Sequence, residues 1–187
     1  EIPYQPAALK QKEENFAKRY AADPLASCYL PGVPRIMYME HPFQIFQTTE
    51  LIAMTFEWTL AHRLIYTNGS KANDGIEFWM GDSRGRWDGD TLVVDVTNHN
   101  DRTWFDMAGD FHSEQLHLVE RYTMKDANTI QYEATIADPK TFTRPWTISM
   151  PLYRHTDMPR LLEYHCQAEK EEANGDFERD PRTWYPK

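Results

Sequence analysis

Residues 79–103 read WMGDSRGRWDGDTLVVDVTNHNDRT, and the fold is decided within them. Asp88-Gly89-Asp90 is a tight turn, with glycine where the backbone needs a positive φ. Thr91–Thr97 then alternates, placing Leu92, Val94 and Val96 on one face and Val93, Asp95 and Thr97 on the other. Successive side chains of a strand point to opposite faces, so a period of two marks a half-buried antiparallel strand.

The same pattern extends in both directions. Upstream, a meander is predicted from Pro42, with strands over 43–48, 51–58 and 60–67, the last closed by Asn68-Gly69. A polar loop over 70–75 and a short strand over 76–80 lead into the central stretch. Downstream, 104–113 (WFDMAGDFHS) is an irregular, aromatic-rich loop. Residues 114–124 and Thr129–Ala137 form a hairpin around Lys125-Asp126-Ala127-Asn128, and 143–153 and 161–166 are the last strands. Turn chemistry separates the strands and no strand–helix–strand alternation occurs. The expectation is an all-β chain: a single antiparallel, lipocalin-like up-and-down barrel of about eight or nine strands, with an N-terminal helix. A barrel of that size has room for its own side chains plus one small ligand.

That helix is predicted over Pro6–Ala22, rich in helix formers, with Leu9, Phe16 and Tyr20 as a thin stripe against the barrel exterior. Residues 23–34 carry three prolines and Gly32 and read as an extended connector. The chain divides into helix and connector (1–34), barrel (35–168) and a charged tail (169–187) that ends in Trp184-Tyr185-Pro186.

With 187 residues the chain suits one domain with a sizeable core. Its 29 acidic and 20 basic residues give a net charge of −9, which argues against nucleic acid and against an anionic membrane surface as partners. No apolar run approaches the roughly 20 residues of a membrane-spanning helix. The first residue is Glu1 rather than Met, as expected of a product trimmed of a secretion signal, and the expected location is periplasmic or secreted. In that setting the two cysteines, Cys28 and Cys166, are expected to pair.

The hairpin carries the sharpest local inference. A three-residue turn places Tyr122 opposite Ile130, Glu120 opposite Tyr132 and Leu118 opposite Ala134. Glu120 is then the single charge on an apolar face, and a buried carboxylate needs a partner or a raised pKa. Arg144 and Arg63 are the candidate partners. Such a pair is equally a polar anchor for a ligand or a brace for the barrel. His62, Trp79, Trp104, Tyr132 and Trp146 complete the expected ligand-lining set, His62 on a face shared with Leu60, Leu64 and Tyr66. Asp101 and Asp82, in turns near the tryptophans, are the further carboxylates for acid–base chemistry. His112, Glu114 and Glu120 share strand parity but His117 does not, so this strand alone does not make a metal centre. No phosphate-cradling glycine loop, GxSxG, CxxC or HExxH occurs, and neither a cofactor nor a metal is expected.

A series of ordered blocks carries a resemblance: DPLASC (23–28), PGVPR (31–35), PFQIFQT (42–48), WMGDSRG (79–85), WDGDTLVV (87–94), NDRTW (100–104), HSE (112–114), LHLVER (116–121) and TRPWT (143–147). Over about residues 23–167 the chain resembles a large group of exported bacterial proteins of unknown function. The resemblance implies export and adds little chemistry.

Three functions fit these residues. The first is an exported barrel binding a small apolar or aromatic ligand in its interior. The second is a cofactor-free acid–base enzyme, a lyase or isomerase, working through Glu120, Asp101 or Asp82. The third is an accessory or structural subunit of a cell-envelope assembly, docked through Trp184-Tyr185. A protein partner or a homo-oligomer is compatible with each.

Overall fold

The computed structural model describes residues 1–158 and 160–175. The helix α1 spans Pro6–Ala22, as expected. Eight strands follow: β1 (Phe43–Gln47), β2 (Leu51–Phe56), β3 (His62–Tyr66), β4 (Asp82–Asp88), β5 (Thr91–Thr97), β6 (His117–Asp126), β7 (Thr129–Ala137) and β8 (Trp146–Tyr153). A second helix, α2, spans Cys166–Asn174. The strands pair strictly in chain order, and among the described residues β8 makes no ladder with β1. The sheet is therefore a curled half-barrel, open along one seam, where sequence patterning led us to expect a closed barrel.

One pairing breaks the up-and-down pattern. β3 and β4 run parallel, through Ile65↔Ser83 and Tyr66↔Arg84, whereas every other neighbouring pair is antiparallel. A parallel pair needs a crossover, and residues 67–81 supply it. The strand expected at 76–80 is instead part of this excursion, held by an isolated bridge from Phe78 to His99 and by the Asn98 side-chain amide, which donates to the carbonyls of Asn73 and Ile76. The chain thereby returns to the end of the sheet it had left. Asp82–Asp88, read from sequence as turn chemistry, becomes β4, with seven residues in register with β5. The two-residue Gly89-Asp90 turn joins them, Gly89 at φ +59°. Gly85 faces inward, and a Cβ there would lie 2.8 Å from Ile65 and 3.3 Å from Leu92. Its missing side chain leaves the space that those two side chains fill.

The concave face is the core. Ile52, Met54 and Phe56 of β2, Ile65 of β3, Leu92, Val94 and Val96 of β5, Leu118 of β6, and Tyr132, Ala134 and Ile136 of β7 are all buried. This matches the alternation read for β2 and the inward face read for β5, although Val93, expected on the half-exposed outer face of β5, is buried as well. The connector is not merely extended. It contains a 3₁₀ turn, Pro24–Ser27, a second, Arg35–Tyr38, follows directly where the barrel was expected to begin, and Val33, Ile36 and Met37 join the same core. Asp23 takes two hydrogen bonds from the Arg35 guanidinium, at 2.9 and 2.8 Å, and accepts a third from the Leu25 N–H. Cys28, in left-handed conformation, is disulfide-bonded to Cys166, as expected, and so ties the connector to α2 across 138 residues of chain.

Two further expectations are corrected. The strand anticipated at 161–166 is a bridge from Tyr164 to Trp58 followed by α2, because Gln-Ala-Glu-Lys-Glu-Glu-Ala is a strong run of helix formers. The stripe Leu9, Phe16 and Tyr20 is exposed rather than packed inward, with Arg19 stacked over both rings. α1 is anchored by close backbone approach: Gly109 lies against it, where a Cβ would fall 2.8 Å from the Lys12 carbonyl, and Asn15 donates to the Gly109 carbonyl. Trp184 and Tyr185, the anticipated docking element, lie outside the described residues.

Candidate functional site

Glu120 is fully buried, between Leu118 and Tyr122 on the inward face of β6. Its burial was anticipated, though the register that produces it differs. Tyr122 opposes Tyr132, Glu120 opposes Ala134 and Leu118 opposes Ile136, with a bulge at Met124/Asp126. The shift from the expected pairing is two residues, which preserves the face of every side chain; a shift of one would have turned Glu120 outward.

The partner is Arg63, 2% exposed, reaching Glu120 from β3. Arg63 Nη1 donates to Glu120 Oε1 at 3.1 Å, and Nη2 pairs with Oε2 in a bidentate fork. The guanidinium is completed by Ser83 of β4, whose hydroxyl accepts from Nε at 3.1 Å and Nη2 at 3.0 Å. Tyr132 and Tyr122 donate their hydroxyls to Glu120 Oε1 at 2.7 and 3.1 Å, and the Tyr122 oxygen also accepts from Arg63 at 3.2 Å. Burial alone would weaken the Arg63 charge, but the adjacent carboxylate outweighs it and holds the guanidinium more firmly protonated than usual. Burial and the Glu120 charge push both tyrosines well above the ordinary phenol range. Every polar group of this cluster is used.

The other sequence candidates scatter. Arg144 is exposed, its side chain donating at 3.5 Å to the Pro145 carbonyl, and among the described residues it makes no ion pair with Glu120. His62 is exposed: the inward face of β3 is Arg63 and Ile65, continuing from the buried Ala61 before the strand, the opposite parity to that expected. Leucines at 60 and 64 suggested the other face. The inward position is instead held by a cation whose counter-charge lies three strands away. Asp82 is buried but committed, accepting from the Asn73 backbone and side-chain nitrogens and from Arg84 at 2.8–2.9 Å. Asp101 is exposed. Trp79 stacks on Tyr29 with ring centroids 4.9 Å apart, Trp104 bridges to Phe111, and Trp146 lines a different concavity from the one described next. Tyr132 alone of the expected aromatic set joins Arg63 and Glu120.

Above the ion pair the half-barrel ends in a recess of about 190 Å³. Ile52, Met54, Ile65, Leu92 and Tyr122 form its floor, and Ile45, Gln47, Trp87, Asp90, Met124 and Ile130 its rim. Tyr122 joins the two features, its ring in the recess and its hydroxyl on the ion pair.

Two histidines lie deep in the interior. Burial lowers the pKa of His112, whose Nε2 meets the Thr103 hydroxyl at 2.6 Å and whose Nδ1 meets the Ser113 carbonyl at 2.9 Å. A carbonyl only accepts, so Nδ1 carries the hydrogen and Thr103 donates to Nε2. His99 is 1% exposed, its ring centroid 5.7 Å from that of His112. Neither of its nitrogens closes a hydrogen bond of normal geometry among the described residues, the Val96 backbone giving only a weak polar contact. Among the described residues no group of three or more His, Cys, Asp or Glu side chains is placed to hold a metal ion. Sequence reading missed Asp106 and Asp110, which line a second concavity; they sit in the irregular loop where no periodicity fixes a direction. Compared with protein-family models, with curated proteins and with solved structures, the chain finds no match in any of the three.

Proposed function

We propose that this is an extracytoplasmic binding protein for a small apolar or aromatic molecule, held in the recess at the open end of the half-barrel. The recess carries the reading: about 190 Å³ walled by aliphatic side chains, with Trp87 half exposed at its rim. A cavity of about 150 Å³ in an apolar core accommodates benzene, so the matching ligand is about one ring with a short substituent. The Cys28–Cys166 disulfide is compatible with an oxidising compartment, and no helix among the described residues is long and apolar enough to cross a membrane.

The geometry favours binding over acid–base catalysis. Glu120 is enclosed and saturated by Arg63, Tyr122 and Tyr132, Asp82 is tied to Asn73 and Arg84, and Asp101 stands apart on the surface. A general base must come within hydrogen-bond reach of the proton it takes, and these three do not converge on one cavity.

The test is titration with indole and with propylbenzene, read by Trp fluorescence and by thermal shift. Saturable quenching at Trp87, with a rise in melting temperature, is expected. Ile130→Trp, which fills the recess from its rim, should abolish both responses. An unchanged response in that variant, or none in the parent, refutes the assignment.

A further inference from the structure

The second concavity, of about 300 Å³, is chemically unlike the first. Three aromatic rings line it, Tyr38, Phe105 and Trp146, together with two carboxylates, Asp106 and Asp110, and otherwise only aliphatic side chains. Among the described residues no Lys, Arg or His lines it. Asp106 Oδ1 accepts from the backbone N–H groups of Ala108 at 2.8 Å and Asp110 at 3.3 Å, and Asp110 Oδ1 accepts from the Tyr4 hydroxyl at 2.8 Å. The two carboxyls are near enough to hydrogen-bond when one of them is protonated. Arg35, whose charge is felt by Tyr38 of the lining, is itself paired with Asp23. Two carboxyls thus face an aromatic-walled hollow whose lining, among the described residues, supplies no cationic side chain.

Two kinds of cation could answer this charge. A hard metal ion wants six or more oxygen ligands, and the lining supplies two carboxylates and no further acidic side chain. Aromatic faces with a nearby carboxylate are instead the surroundings that a desolvated organic cation prefers. The volume, at the lower end of ligand pockets, suits a small one. We propose that this concavity binds a small organic cation, with an alkylated ammonium group seated against Tyr38, Phe105 and Trp146 and neutralised by Asp106 and Asp110. The site is independent of the apolar recess, and either stands if the other fails.

Protonation gives a linked signature. Burial and the neighbouring Asp110 raise the Asp106 pKa to about 6. The titratable groups that interact with it are Asp110, Tyr4 and Tyr38, both tyrosines held above their ordinary range, and α1, which packs on this loop at Gly109, carries Lys12 there. A cation that needs the ionised carboxylate therefore binds more weakly as pH falls through about 6.

The experiment titrates choline, and separately its neutral isostere 3,3-dimethylbutan-1-ol, into the ¹⁵N-labelled protein. Choline should shift the amides of residues 105–110 and the Trp146 indole saturably, and bind at least about tenfold more tightly than the isostere, a difference of about 1.4 kcal/mol. Asp106→Asn keeps an oxygen for the Ala108 and Asp110 amides but removes the charge, and should weaken choline about tenfold without altering the spectrum of the sheet. Asp110→Asn is the poorer variant, since it disturbs the Tyr4 contact. The proposal is overturned if the isostere binds as well as choline, if Asp106→Asn or a drop to about pH 5 leaves choline affinity unchanged, if calcium displaces choline stoichiometrically, or if no shift saturates.

Discussion

Replacing Glu120 by Gln should cost this protein more stability than almost any other isosteric change. The substitution keeps one acceptor for Tyr132 but leaves the Arg63 guanidinium charged, with its side chain 1% exposed and no counter-ion. At the 3.1 Å Nη1–Oε1 separation and an effective dielectric near 20, the lost attraction is about 5 kcal/mol. Removing one member of a buried pair is destabilising by about 3–5 kcal/mol, because the survivor stays desolvated and unmatched. For a domain of this size, with about 2–4 °C of melting temperature per kcal/mol, the drop is roughly 6–20 °C. Calorimetry and urea unfolding measure it. The double variant Arg63→Met/Glu120→Gln removes both charges and should recover part of the loss, giving a positive coupling between the sites. If Glu120→Gln costs less than about 1 kcal/mol, or the double variant is no more stable than the single, the pair is not the buried brace described here.

Three further expectations concern other parts of the molecule. Cys28→Ser should lower unfolding free energy by about 4–5 kcal/mol on the chain-entropy model, since the bridge spans 138 residues, and reductant should reproduce the effect in parent protein but not in the variant. Burial and the charges of His112 and Arg63 hold the His99 pKa well below 6.5. The unfolded chain therefore binds a proton that the folded chain refuses, and stability falls as pH drops below about 6.5. Asp106 opposes this: raised from 3.8 to about 6, its contribution is complete below the unfolded value and is lost as pH rises through about 6. His99→Phe should flatten the acid decline and Asp106→Asn should steepen it, read as urea midpoints against pH; an unchanged slope in both refutes the assignment. Gly32→Ala should cost roughly 1–3 kcal/mol, because Gly32 has φ +74° and a Cβ there would lie 2.5 Å from the Thr103 hydroxyl that hydrogen-bonds His112. Loss of the His112 side-chain resonance position by NMR would accompany it.

Where side chains alternate between water and core, the sequence was legible. α1, β5 and β7 have the bounds read from the pattern, and Glu120 was found because one carboxylate among Leu118, Tyr122, Tyr132 and Ile136 breaks an apolar face. Two kinds of position were illegible. Arg63 occupies an inward place for an electrostatic reason, so hydrophobic alternation along β3 pointed the wrong way. The Thr59-Leu60 turn beside it hides for a related reason, since both residues have positive φ, at 48° and 53°, without the Gly or Asn that announces such a turn. The parallel β3–β4 pairing was the other gap. It rests on how residues 67–81 return across the sheet, through the Phe78–His99 bridge and the Asn98 amide, and contacts this distant in sequence leave no local period.

The ion pair also decides what the recess above it can hold. Glu120 Oε1 already accepts from Arg63, Tyr122 and Tyr132, and the Tyr122 oxygen is engaged with both charged partners. A ligand group seeking a hydrogen bond at the floor would have to displace a charge-assisted bond worth about 1.5–3 kcal/mol, and would recover only a similar one. The floor therefore offers ring and aliphatic carbon, and on the proposed reading the selectivity for apolar ligands would arise from saturation below it rather than from an absence of polar residues. Tyr122→Phe separates the two roles. It removes a hydroxyl but not the ring, so it should cost about 1–3 kcal/mol of stability while changing propylbenzene affinity less than about twofold. If affinity instead falls by tenfold or more, the hydroxyl itself meets the ligand and the floor is polar. Equal stability with unchanged affinity would mean that Tyr122 adds nothing to the ion pair it touches.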